Sequence, residues 1–267
     1  MKKILALIFF AVIIATVAFA QTGVKKKRPL PHDYGKVIIG NFSEKAGLAR
    51  VEFSHWLHRA KYTCRLCHVD IGFAQSQGAT EIRAADNMQG YYCGSCHNGK
   101  PGPDGKKVFE SCARDVPEKE KSRCRRCHSA GMDVTPEYDF RDFTKGFPRG
   151  RFGNGIDWEK TQAEGLVKPI DYLEGVSFKR DAITAREDFA LSPRVETMPD
   201  IVFSHKKHTV WNGCESCHPE IFIGVKRGIT KYSMVEIFEG KYCGVCHTSV
   251  AFPLIDCQRC HSKPIQY

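Results

Sequence analysis

Five residues, Cys64-Arg65-Leu66-Cys67-His68, set what this 267-residue chain can fold into, because their pattern recurs five more times. The copies run Cys93–His97, Cys124–His128, Cys214–His218, Cys243–His247 and Cys257–His261, and each reads Cys-x-x-Cys-His. At helical spacing, positions i, i+3 and i+4 share one face, so two thiols and an imidazole project together. The thiols can then bond the vinyl groups of one porphyrin while the histidine binds its iron, the attachment signature of c-type haem. Alone, a Cys-x-x-Cys is also half a zinc site or a redox dithiol. Neither needs a histidine after the second cysteine, yet all six copies have one although the chain holds only 11 histidines. Twelve of the 13 cysteines are consumed. The expected cofactor is six covalent haems c, held by Cys64, Cys67, Cys93, Cys96, Cys124, Cys127, Cys214, Cys217, Cys243, Cys246, Cys257 and Cys260. The proximal ligands are His68, His97, His128, His218, His247 and His261.

A chain of this length forms one or two domains, and its hydrophobic content is modest. Porphyrins supply apolar interior, so small lobes of short helices and much irregular chain are expected. The net charge of +10 ordinarily points to nucleic acid or anionic lipid. Here the haem propionates offset it, and no stacked basic–aromatic module supports nucleic-acid binding.

Lys2-Lys3 precede an apolar run from Ile4 to Phe19, and Ala18-Phe19-Ala20 reads as a signal-peptide cleavage site. The run is short for a membrane span of about 20 residues. Residues 1–20 are therefore read as a signal peptide and 21–33 as a basic tail, with no membrane span after cleavage. Export agrees with haem attachment outside the bacterial inner membrane. The expected location is periplasmic, with the outer membrane or cell exterior as onward destinations.

The chain also repeats at a larger scale. Phe53-Ser54-His55-x-x-His58 returns as Phe203-Ser204-His205-x-x-His208, and His55, His58, Cys64 and Cys93 each recur 150 residues later. The third motif recurs after 133, so the first half carries 17 extra residues there, read as a surface loop. Two trihaem units result, 34–131 and 173–267, joined by a strap at 132–172. Val37-Ile38-Ile39 and Val51-Glu52-Phe53 predict a hairpin before the first motif. In the strap, Phe140, Phe143, Phe147, Phe152 and Trp158 are expected to pack over haem edges and hold the lobes together. Asp157 to Gly165 predicts a short helix with an Asp cap and a terminating Gly.

Five histidines remain for the sixth coordination positions: His32, His55, His58, His205 and His208. The duplicated His-x-x-His element ahead of each lobe reads as distal ligation, against a metal pair or surface cluster. Cys112 is left over. It reads as a tether thiol or a partly buried, unreactive cysteine, and no role is assigned to it.

The Phe-Ser-His-x-x-His element followed by three Cys-x-x-Cys-His motifs, twice over, resembles the c(7)-type trihaem domain of the class III cytochrome c family. The segments Gly90–His97 and Met234–His247 also resemble its second motif. The resemblance implies a multihaem fold, mostly coil with short helices and a small N-terminal hairpin in each lobe. It implies that His55 pairs with His68, His58 with His97, His205 with His218 and His208 with His247. Simple family members place a further histidine before the second motif for the third haem, and this chain has none there. Met88 and Met234 stand near that place, as in some tandem relatives, at unequal distances of five and nine residues from Cys93 and Cys243. Ordinary packing is the rival role for each methionine, and His32 is the rival ligand in the first lobe.

The function implied is electron carriage along a haem chain with no substrate chemistry. Its setting is anaerobic respiration or extracellular electron transfer, between an inner-membrane donor and an outer-membrane or external acceptor. Two other readings stand beside it: a multihaem reductase with one open haem, and a subunit of a membrane complex or cytochrome filament.

Overall fold

β-branched runs prefer the pleated, half-buried surface of a strand, and the first lobe opens with two of them. β1 (Lys36–Ile39) and β2 (Val51–Ser54) form the predicted antiparallel hairpin, with Val37 opposite Phe53. β2 runs directly into α1 (His55–Arg59), so strand geometry sets where His55 and His58 stand. A π-helical turn, Leu66–Ile71, follows within the first motif, and α2 (Ala84–Met88) precedes the 3-10 turn Tyr92–Ser95 of the second. The computed structural model describes residues 29–263 apart from 115, 136–137, 182–183, 185, 194–197, 225 and 227. Residues 1–20, read above as a signal peptide, and residues 21–28 of the expected basic tail lie outside the described residues.

The strap carries α3 (Phe140–Phe143) and α4 (Trp158–Ala163). α4 has the predicted cap, with Asp157 Oδ1 accepting from the Lys160 amide at 3.1 Å, and Gly165 ends it at φ +73°. The second lobe repeats the first. β3 (Phe189–Leu191) and β4 (Asp200–Phe203) pair with Phe189 opposite Phe203, and β4 runs into α5 (His205–Asn212). α6 (Met234–Phe238), α7 (Gly244–His247), α8 (Cys257–Cys260) and β5 (His261–Lys263) complete it.

Duplication reaches backbone detail. α2 and α6 start and end 150 residues apart, and Tyr92 and Tyr242 share a left-handed conformation at φ 47° and 52°. That conformation is rare for an aromatic residue. Equal spacing also hides two compensating slips. The His68 ring binds the carbonyl five residues on, at Phe73, whereas His218 binds that of Phe222, four on. The π turn of the first lobe holds the additional residue. Downstream, Thr80 closes onto the Ala74 amide and Thr230 onto that of Ile223, a span one residue longer in the second lobe.

The insert in the first lobe is not one loop. His97 and His247 contact Phe109 and Phe252 at 4.4 and 4.2 Å between ring centroids, 12 and 5 residues downstream. Arg126 and Arg259 lie over those same phenylalanines at 4.9 and 5.2 Å. The insert therefore divides around Phe109. Its earlier part closes through the Pro101–Lys107 bridge and its later part includes the 3-10 segment Glu118–Arg126.

The apolar core lies where the strap meets the first lobe. Trp56 on α1 and Ala60 at its C-terminal cap pack with Phe140, Ile156, Trp158 and Val167, and Phe143 and Phe147 join at the rim. Phe140, Phe143, Phe147 and Trp158 thus back α1, and Trp158 and Phe152 also line the large cavity of the molecule. Phe152 alone of the five stands outside this cluster, under Arg151 at 5.1 Å. In the second lobe the counterparts of Trp56 and Ala60 are Lys206 and Val210, both exposed, so α5 has no such backing. The strap also meets the second lobe, where Glu159 pairs with Lys207 at 2.6 Å and Asp157 with Arg259 at 3.3 Å.

Candidate haem-binding site

The duplicated Phe-Ser-His-x-x-His element is built around its phenylalanine. Phe53 lies 4.8 Å from His55 and 4.3 Å from His58, and Phe203 lies 5.0 and 4.4 Å from His205 and His208. One ring at the strand end thus wedges both imidazoles of the element. The serine carbonyl fixes the second of them. His58 and His208 place Nδ1 on Ser54 O and Ser204 O at 3.1 and 2.7 Å.

Ten of the 11 histidines share this arrangement. His55, His68, His97, His128, His205, His218, His247 and His261 place Nδ1 on the carbonyls of Gly35, Phe73, Phe109, Ala49, Glu187, Phe222, Phe252 and Pro199. With the two serine contacts, the distances span 2.6 to 3.3 Å. A carbonyl only accepts, so Nδ1 carries the proton and Nε2 is the lone-pair nitrogen. That is the second-sphere pattern that orients metal-binding imidazoles. The eleventh histidine differs: His32 places Nε2 3.4 Å from Asp33 Oδ1.

The pairs meet across a gap of one iron. His55 and His68 are parallel within 6° at 6.5 Å between centroids. His58 and His97 stand at 6.2 Å and 55°, and His208 and His247 at 6.3 Å and 58°. The structure thus brings together three of the four expected pairs. It places the fourth pair, His205 and His218, each on its own carbonyl. Burial pushes His55 and His58 down to about 4, which keeps both imidazoles neutral and able to donate the Nε2 pair.

The third motif of each lobe is tied to the hairpin. His128 bridges Val51 in the first lobe, and β5 brings His261 opposite Ile201 in the second. Their Nδ1 acceptors, Ala49 and Pro199, are themselves 150 residues apart. The methionines are not equivalent. Met88 ends α2 and aligns with Phe238, whereas Met234 begins α6 and aligns with Ala84. Met88 and Met234 are 39% and 42% exposed, and Met234 faces the central cavity. Cys112 is half-buried, takes a contact from Asn87 Nδ2 at 3.9 Å, and has its thiol pushed up by burial.

A continuous cavity of about 2930 Å³ runs through both lobes, lined by Cys67, His68, His97, Cys217, His247 and His261 among others. An ordinary ligand pocket measures roughly 300–1,000 Å³, so this space suits several large groups. Paired lone-pair nitrogens beside paired thiols fit covalent haem. Sequence reasoning found every one of these histidines but missed their carbonyl acceptors. The repeated phenylalanine was the available signal for the wedge.

The model of the family "Cytochrome c7 and related cytochrome c" matches residues 51–129 and 201–263. Among solved structures, a c7-type three-haem cytochrome domain is 31% identical over 29% of this chain and 95% of its own, with a TM-score of 0.27. A C-terminal hexahaem fragment of a dodecahaem cytochrome c is 23% identical over 88% of this chain and 98% of its own, with a TM-score of 0.26. The N-terminal hexahaem fragment is 23% identical over 85% and 98%, with a TM-score of 0.24. No curated protein matches this chain.

Proposed function

Because the chain belongs to the family of cytochrome c7 and related cytochrome c, we propose that it is an exported hexahaem electron carrier. Electron transfer is the family's chemistry, and covalently attached haem c is its cofactor. The carrier reading rests on the paired imidazoles, whose rings stand 6.2 to 6.5 Å apart with Nδ1 anchored on carbonyls. An iron with both axial positions filled exchanges electrons without binding a substrate.

Bound haem supplies the one-electron couple. The motif thiols would hold it, and the six motif histidines would each ligate an iron. His55, His58, His205 and His208 would supply further iron ligands, and Phe53 and Phe203 keep their rings from turning away. Met88 and Met234 are assigned to the irons of the Cys124–His128 and Cys257–His261 motifs. A thioether raises the potential above that of a bis-histidine site, so these two haems are the last to be oxidised. Met88→Leu and Met234→Leu should each leave one haem able to bind carbon monoxide. Failure of both variants to bind it would remove the methionines from the ligand set.

The setting we infer is anaerobic respiration or extracellular electron transfer, from an inner-membrane donor to an outer-membrane or external acceptor. The apolar leader supports export, and among the described residues no helix is long and apolar enough to cross a membrane. A reductase is the rival, favoured by the exposure of Met88 and Met234 at 39% and 42%. Carbon monoxide added to the dithionite-reduced wild type separates the two. The carrier leaves the visible spectrum unchanged, whereas a shift equivalent to one haem in six supports the reductase.

A further inference from the structure

A chain of six haems conducts end to end only if one haem of each lobe lies beside the other lobe. The residues around the first motif of each lobe point to which. The position after the first cysteine is Arg65 in motif one and Glu215 in motif four. Arg65 is 3% exposed and forms an ion pair with Asp171 of the strap. Its Cδ lies 2.5 Å from where a Cβ on Gly213 would stand, and Gly213 immediately precedes Cys214. Gly213 also has φ +67° and ψ −169°, a conformation reserved for glycine. Its counterpart in the first lobe is Thr63, so the duplication is abandoned here to admit Arg65.

Glu215 lies 3.7 Å from Arg180 Nε, while Arg180 Nη2 lies 2.6 Å from Asp70, two residues past His68. Gln75 Nε2 donates to Ser216 O, inside the fourth motif, at 3.0 Å. Asp171 of the strap thus sets an acid against Arg65, while Arg180, just past the strap, bridges Glu215 and Asp70 and clasps the two first motifs together. The second motif of each lobe uses the equivalent position differently. Gly94 and Gly244 seat helices of their own lobes against Asn87 O and Ile237 O.

We propose that electrons cross between the lobes at this junction, between the haems of the Cys64–His68 and Cys214–His218 motifs. Arg65, Gly213 and Arg180 act there as positioning residues. The inference rests on the carrier reading. In the crossing one iron is oxidised as the other is reduced, and no bond or proton changes hands.

Pulsed reduction of the holoprotein tests this. In the wild type all six haems should equilibrate in one phase. In Gly213→Val the added side chain drives the motifs apart, and equilibration should split into a fast phase from three haems and a slower one from the rest. Should that variant fail to accumulate, Arg65→Glu, which repels Asp171, gives the same readout, and Asp171→Arg in that background should restore the single phase. An unsplit phase in the variants overturns the proposal. So does an experimental holoprotein structure whose shortest interlobe haem separation excludes either first motif. Carbon monoxide binding by the wild-type sample instead counts against the carrier reading and leaves the kinetic result to decide the junction.

Discussion

Gly244→Ala should lower the stability of the holoprotein by on the order of 3 kcal/mol, a large effect for a single methyl. A Cβ at Gly244 would stand 2.0 Å from Ile237 O, and at Gly94 1.9 Å from Asn87 O. Both obstacles are helix backbone, so no rotamer change relieves them. The cost falls where α6 meets α7, beside the second haem motif of its lobe. For a protein of this size that corresponds to a drop of about 6–12 °C in thermal midpoint. Gly146→Ala is the control, because nothing lies within 4 Å of its Cβ position. It should stay within about 0.5 kcal/mol. Equal midpoints for the two variants would remove close packing as the reason for the glycines.

Trp56→Ala should cost about 3–5 kcal/mol, as expected for a buried tryptophan truncated in a core. Its ring is 5% exposed and meets Phe140 edge-on at 5.1 Å and Phe143 at 5.5 Å. Trp56 lies between His55 and His58 in sequence, so the strap reaches these two histidines through α1 itself. Loss of the ring should loosen both histidines and broaden the haem spectrum of the first lobe alone. The matching change in the second lobe, Lys206→Ala, strips an exposed side chain and should stay within about 0.5 kcal/mol. Denaturant unfolding followed in the Soret band compares the two directly. A similar loss in both would mean that the strap is not what supports α1.

Much of this was legible before any coordinates. The six motifs are covalent chemistry written at fixed spacing, and the Phe-Ser-His-x-x-His element recurs too closely to be incidental. The hairpin and the capped helix after Asp157 followed from local rules, which act over a few residues. What was not legible depends on partners distant in sequence. α1 is five residues long, too short for a second face to declare itself, so Trp56 carried no sign of the strap. The figure of 17 extra residues gave the size of the insert but not its division around Phe109. Backbone carbonyls have no residue signature, so the acceptors that orient the imidazoles were invisible. The unequal methionine offsets did carry a true signal, since Met88 and Met234 occupy opposite ends of matching helices.

The central claim is that facing histidines close the iron sites, and electron paramagnetic resonance of the oxidised holoprotein reads it most directly. Near-parallel imidazoles give a rhombic low-spin signal, and strongly twisted ones give a broad signal of larger anisotropy. The 6° between His55 and His68 predicts the first, and the 55° and 58° of the other two pairs predict the second. The account therefore expects both low-spin forms together and no high-spin ferric haem. A high-spin signal worth one haem or more would contradict it.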